Sequence, residues 1–442
     1  MSPGPFSANR RCLSISATSW ARSRGSSRCR HPTPRTSAAA RTTARSTPAT
    51  RCGGSGRRDP GHAARTDEGR TEGIAKMHVG MSSIFQGFGG TLSDKEVYEA
   101  DLHLAGLAEP LGFDSIWGVE HHFTNYTICP DILQFLTYMA ARTSRVQLGS
   151  MVAVLPWHDP LRLAEQILML DNMSDGRLVL GMGRGTGKVE FDGLRVSMAE
   201  ARQRYKESAE AILEALETGV MEYDGEFVQQ PRTPLRPSPW RSFRGRTYSA
   251  SISPESAEIM ARLGTGVLII PQKPWNHVQQ DCESYRSTYR AAIGGQPPAP
   301  ICAGWTFVDE NPDRAEELAR RYIGRYWESI VEHYEFDKPH LKDTPGYEFH
   351  SLMYERLTAP GGMEKMTDFY VDLQAWGTPD QVYEKIKSFC ELTGSDSYVG
   401  VFRYAGMPLD EGERNMRLFA REVMPELRGL TPSAALAYAD TA

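Results

Sequence analysis

From Met77 onward the chain alternates short apolar, β-rich runs with longer amphipathic stretches, and it completes this alternation eight times. The runs fall at 78–84, 114–120, 146–155, 177–183, 246–251, 266–271, 301–308 and 397–404, and they read as strands. Helix starts stand between them. Ser93 with Glu96 makes a capping box, and Thr378-Pro379-Asp380-Gln381 supplies an N-cap, a first-turn proline and a glutamine three residues on. Eight strand–helix units predict an α/β fold, a (β/α)8 TIM barrel with loop insertions at its C-terminal face. The competing architecture is a doubly wound sheet, but its dinucleotide fingerprint fails: in "GMGRGTG", counted from Gly181, Thr186 stands where a glycine is needed. Two segments, 219–245 and 335–375, exceed ordinary loop lengths and are expected as substrate walls, mobile lids or plain surface loops.

Composition divides the chain before the first run. Residues 1–76 hold 14 Arg and one Lys against four acidic residues, set among Ser, Thr, Pro, Gly and Ala. A segment with so little to bury is expected to be disordered. It reads as the product of a mis-assigned start, with Met77 as the true one, or as a targeting sequence or basic arm. The barrel is expected over 77–430, with 431–442 as a flexible tail. The body from Met77 keeps 35 basic and 51 acidic residues, a net charge of −16 that argues against nucleic acid as a partner. Its four cysteines, Cys129, Cys282, Cys302 and Cys390, lack metal or redox spacing, which fits a reducing, cytoplasmic compartment. No apolar stretch approaches the roughly 20 residues that span a membrane.

Catalytic groups of a barrel project from the carboxyl ends of its strands, and "EHH", residues 120–122, stands at such an end. Alternation places Glu120 and His122 on one side and His121 on the other. A metal site would need convergent ligands, and neither HExxH nor a second cluster at ligand spacing is present, so no metal is expected. His121 suits proton handling; buried hydrogen bonding by both histidines is the alternative. Arg184, between Gly183 and Gly185, is a guanidinium held where backbone approaches closely, suited to a phosphate or a ring edge. Ser253 can cap a helix that opens at Pro254, and with the Ser251 hydroxyl it would make an anion site. Together these motifs point to a phosphorylated cofactor beside a proton-transfer residue.

The residues also resemble a known family, the bacterial luciferase-like flavin-dependent monooxygenases. "GFDSIWGVEHHF", "AARTSRVQLGSMVAVLPWHDPLRLAEQILMLDNMSDGRLVLGMGRG", "SASISPESAEIMARLG" and "GTPDQVYEKIKSF" are similar to its ordered blocks, and "MRLFAREVMPEL" to the end of the luciferase alpha subunit. The resemblance covers nearly the whole body. It implies a barrel that uses reduced FMN and molecular oxygen, through a flavin hydroperoxide, to oxidise a small organic substrate, which the Trp- and Pro-rich loops suggest is apolar. It implies His121 as the catalytic histidine, Arg184 at the flavin or its phosphate, Ser251 at the phosphate, and the backbone around Ala153 beside the ring system. Ser253 joins the cofactor set from its cap position. Glu120, Trp157, Trp275 and Trp305 are candidates for the substrate pocket, with core packing as the alternative for the tryptophans. A separate flavin reductase and a homodimer are implied partners. Gly183 stands where luciferase has a reactive cysteine and Ala250 where it has a glutamate, departures that speak against light emission. The same family includes deazaflavin-dependent hydride-transfer enzymes and non-catalytic partner subunits, which are the alternative functions.

Overall fold

The computed structural model describes residues 76–250, 254–342, 344–347 and 351–430. Eight parallel strands form a closed ring: β1 His78–Ser83, β2 Ser115–Gly118, β3 Gln147–Ser150, β4 Leu178–Gly183, β5 Thr247–Ala250, β6 Gly266–Ile269, β7 Ile301–Val308 and β8 Ser397–Val401. Each pairs with the next, and the ring closes where Gly80 of β1 lies opposite both Ser115 of β2 and Val399 of β8. Helices cover the outside, and the two capping boxes are formed: Ser93 with Glu96, and Thr378 with Gln381. The expected strand 146–155 is broken. It stops at Ser150, passes a cis peptide between Met151 and Val152, and resumes as Ala153–Val154 against the end of β4.

Side chains fill the barrel, as they must when the ring is too narrow for solvent. Trp117, Met151, Val179, Leu268, Ile301, Ala303 and Val399 form that inner cluster. Trp117 is its largest member, and its indole N–H donates to Ser115 Oγ at 2.7 Å. The space it occupies exists because its neighbours lack side chains. A Cβ on Gly149 would lie 2.2 Å from the Trp117 ring, and one on Gly80 would lie 2.4 Å from Ser115 Oγ.

The two long insertions go to opposite ends of the barrel. After β7 the chain does not return at once to the amino end. It builds an insertion from residue 309 to 374, containing the 23-residue helix Pro312–Tyr334, a 3-10 turn at Pro339–Leu341 and the helices Ser351–Thr358 and Gly362–Asp372. The insertion expected at 335–375 therefore begins earlier and is largely helical. Its own core stacks Trp327 on Tyr370, with ring centroids 4.9 Å apart. It ends in the strand Ala375–Gly377, which extends the sheet beside the upper half of β7, and the helix Pro379–Thr393 then leads back to β8. Residues 219–245 differ from expectation in position. They join the helix Ala201–Thr218 to the start of β5, include the antiparallel hairpin Val220–Asp224 with Gln229–Pro234, and reach the amino end of β4, where Arg241 donates to the Gly176 carbonyl. They supply no wall to the site described below. No helix among the described residues is long and apolar enough to cross a membrane.

Because the Trp117 indole has nowhere to retreat, Gly149→Ala is expected to destabilise the barrel by about 1–3 kcal/mol, the range for overpacking a close-packed core. A denaturant midpoint lower than that of the unsubstituted chain checks it.

Candidate active site at the barrel mouth

The carboxyl ends of the strands open into one large cleft, and the insertion roofs it. Tyr326, Ile330 and Tyr334 repeat every four residues on the helix Pro312–Tyr334, so a single helix face closes the mouth. Phe336 and Gly346 continue that roof. Of the expected pocket residues, Glu120, Trp157 and Trp305 line the cleft. Trp275 does not. It opens the helix Trp275–Ala292, stacks on Phe389 at 4.1 Å and donates to the Leu373 carbonyl, so its role is packing on the outer shell.

The loop after β2 turns its acid and two histidines in different directions. His121 Nδ1 lies 2.9 Å from Glu190 Oε1, and the same oxygen accepts the His122 backbone N–H at 2.9 Å. His121 Nε2 faces the cleft, 3.4 Å from the Tyr334 hydroxyl. Glu120 takes the other direction. Its carboxylate accepts the Val154 N–H at 3.0 Å and lies 2.7 Å from His158 Nε2 and 3.4 Å from His122 Nε2. Burial would raise the Glu120 carboxyl, but these hydrogen bonds hold it below its usual range. In turn Glu120 raises His158 against the opposing effect of burial. Glu120 thus ties the loop after β2 to the loop after β3.

Three functional candidates were not singled out by the sequence: Glu190, His333 and Tyr334. Glu190, on the helix Lys188–Leu194, is fully buried, and His333 comes from the insertion helix. Ligand-type atoms of His121, Glu190 and His333 all lie within 4.8 Å of one another, a grouping whose chemistry could suit a cation. The direct 2.9 Å contact between His121 and Glu190 is, however, hydrogen-bond geometry. Burial would push the Glu190 carboxyl up, but the facing imidazoles of His121 and His333 outweigh it and hold the group at about 2. Burial pushes the His333 imidazole down from its ordinary value. Tyr126, half-buried beside His121 and His333, is pushed up to about 12 by desolvation and keeps its proton.

Arg184 leaves β4 between two glycines, as its sequence context suggested. Its guanidinium donates to the Gly346 carbonyl at 2.7 Å and lies over the Tyr347 ring at 4.0 Å, while the Tyr347 hydroxyl donates to the Gly185 carbonyl at 2.8 Å. The glycine loop and the insertion are therefore fastened together on the wall of the cleft. Ala153 is buried and does not itself line the cleft, although its neighbours Val152 and Val154 do. Ser251 and Ser253 lie outside the described residues. The helix Pro254–Leu263 is present where the Ser253 cap predicted it, and Ser256 in its first turn lines the cleft.

The wall suits a flat, polar-rimmed ring system. A Cβ on Gly183 would lie 2.3 Å from Val152, so this edge is held flat by the lack of a side chain. Two indole N–H groups in the lining residues, on Trp157 and Trp305, have no hydrogen-bond partner among the described residues. Both nitrogens are enclosed by protein, so they belong to the packed wall and are not presented to the cleft.

Comparison with known proteins agrees with this geometry. Residues 77–396 match the family described as luciferase-like monooxygenase. The alkanal monooxygenase alpha chain of Photobacterium leiognathi is 28% identical over 341 residues, covering 76% of this chain and 95% of that protein. The oxygenase component of the flavin-dependent trigonelline monooxygenase of Acinetobacter baylyi is 26% identical over 349 residues, covering 75% and 91%. Among solved structures, the monooxygenase RslO1 from Streptomyces bottropensis superposes with a TM-score of 0.67 at 28% identity, covering 79% of this chain and 99% of that one.

The depressed Glu190 carboxyl makes a prediction about acid stability. A group held below its unfolded value contributes stability above that value, and the contribution is lost as pH falls from about 4.5 toward about 2. Over that window the unsubstituted chain is expected to lose up to about 3 kcal/mol more than Glu190→Gln, which has no such charge to protonate. Denaturant midpoints of the two proteins across the acid range measure the difference.

Proposed function

The chain belongs to the luciferase-like monooxygenase family, and from that premise we propose that it is the oxygenase component of a two-component system. In this reading a separate flavin reductase supplies reduced FMN, and the substrate is a small, apolar organic molecule. The observation that carries the reading is the roofed cleft, with His121 Nε2 facing it and Arg184 and the flat edge at Gly183 on its wall. Reduced FMN, when bound, supplies the electrons with which molecular oxygen gives one atom to the substrate and the other to water.

The remaining work falls to the chain's own residues. Arg184 and the flat edge at Gly183 and Val152 would hold the cofactor, and the first turn of the helix Pro254–Leu263, with Ser251 and Ser253 preceding it in sequence, would receive its phosphate. The insertion would exclude water from the cleft through Tyr326, Ile330, Tyr334 and Phe336. Apolar lining residues such as Ile84, Met151 and Val401 set the preference for an apolar substrate. His121 takes and returns a proton at Nε2 while Glu190 holds Nδ1.

Two measurements test this. The full chain loaded with reduced FMN without oxygen, then mixed with oxygenated buffer, is expected to reoxidise the flavin far more slowly than flavin free in solution. Reoxidation at the free rate, or tight binding of a reduced deazaflavin in preference to FMN, would overturn the reading. Separately, His121→Ala is expected to lower turnover by roughly 10²–10⁴, the usual contribution of a positioned acid–base group, with FMN binding retained. Undiminished turnover removes His121 from its role.

A further inference from the structure

His121 is supported by a carboxylate that is only half accounted for. Glu190 Oε1 is committed to His121 and to the His122 N–H, each at 2.9 Å. Glu190 Oε2 faces His333 Nε2 at 3.5 Å, within ion-pair reach but not aligned as a hydrogen bond. Both atoms are buried, and neither has a hydrogen-bond partner among the described residues. We propose that His333, carried by the insertion, is a positioning residue for His121 and acts through Glu190.

The contacts around His333 set its proton. Its Nδ1 lies 2.8 Å from the Thr124 hydroxyl, which accepts the Tyr126 N–H at 3.4 Å and keeps its own proton available for the ring, while the anionic Glu190 Oε2 opposite Nε2 calls for the ring proton there. An imidazole that accepts at Nδ1 carries its proton at Nε2, and here Nε2 points at Glu190 Oε2. The ring is fixed by stacking on Tyr126 at 4.5 Å and by an edge-on contact with His121 at 5.1 Å. Burial lowers its basicity, so it acts as a neutral donor. Glu190 then faces an N–H on each side, hydrogen-bonded at Oε1 and in ion-pair reach at Oε2. It holds the Nδ1 proton of His121 and leaves Nε2 as the basic atom facing the cleft.

The groups facing His121 are few: Glu190 from the helix Lys188–Leu194, His333 and Tyr334 from the insertion, and Tyr126 from its own loop. Glu120 is committed to His158 and Val154. Removing His333 therefore leaves the whole Glu190 charge directed at His121, which favours the protonated imidazole.

The inference rests on His121 as the proton-handling residue, but its test needs no turnover. Imidazole ¹⁵N spectra of the full chain, assigned with His121→Ala, report the tautomer and titration of His121 directly. The unsubstituted chain is expected to show His121 protonated at Nδ1. In His333→Ala its titration midpoint is expected to rise by roughly half to one pH unit, and in His333→Gln, whose amide can donate to Glu190, to return most of the way. Thr124→Val, which removes the donor to His333 Nδ1, is expected to shift the midpoint in the same direction and serves if His333→Ala does not fold. A His121 midpoint that is the same in all these variants, or a proton on Nε2 in the unsubstituted chain, would overturn the proposal. Undiminished turnover in His121→Ala would instead overturn the catalytic reading and leave these spectra unchanged.

Discussion

Trp117 fills the floor of the barrel because Gly80 on one neighbouring strand and Gly149 on the other carry no side chain. That arrangement lets the ring close at a radius where the interior is solid, with Ile301, Ala303 and Val399 packed against the same cluster. A solid floor has a consequence at the mouth. The strand ends are rigid points, so the loops after β2, β3 and β4 leave the barrel in fixed directions, and Glu120 can reach across from one of them to the Val154 N–H of the next. The placement of His121 depends on this chain of constraints more than on any property of its own loop.

The barrel was legible because its signals are local. Apolar runs bounded by capping boxes mark strands and helices from a few adjacent residues, and all eight strands fall within the expected runs. The insertion boundary was not legible. The stretch Pro312–Tyr334 has an asparagine cap, a first-turn proline and an apolar face, the same marks as a helix on the barrel wall. Only its partners, Trp376 and Tyr370 on one side and the cleft on the other, show that it belongs to the roof. The hairpin at 220–234 was misplaced for a related reason. Sequence reveals a long connection, but whether it lies at the mouth or the floor depends on whether it leaves a strand or a helix. Trp275 shows the same limit at one residue, since an indole at a helix start is equally suited to a pocket and to the face of Phe389.

Within the site, the legible residues are those whose motif is contiguous. His121 and Glu120 stand in one triplet, and Arg184 stands between its glycines. Glu190 and His333 are 69 and 212 positions from His121, in segments that carry no pattern of their own. Glu190 does follow the glycine loop by a few residues, on a helix too short to give a periodic signal. Its importance arises from burial, because a carboxylate without water must find donors in the protein, and two imidazoles and one backbone N–H are what the fold offers.

The insertion therefore contributes more than cover. Tyr326, Ile330 and Tyr334 line the roof of the cleft, and His333 on the same helix completes the environment of the buried carboxylate. These two contributions are linked by geometry, since consecutive residues 333 and 334 place one side chain behind His121 and the other in front of it. With the helix docked, the buried Glu190 carboxylate faces two imidazoles. Without His333, the Glu190 charge would be directed at His121 alone. One helix thus both roofs the cleft and supplies the second imidazole that faces Glu190, so the cover of the cleft and the surroundings of His121 are assembled by the same packing.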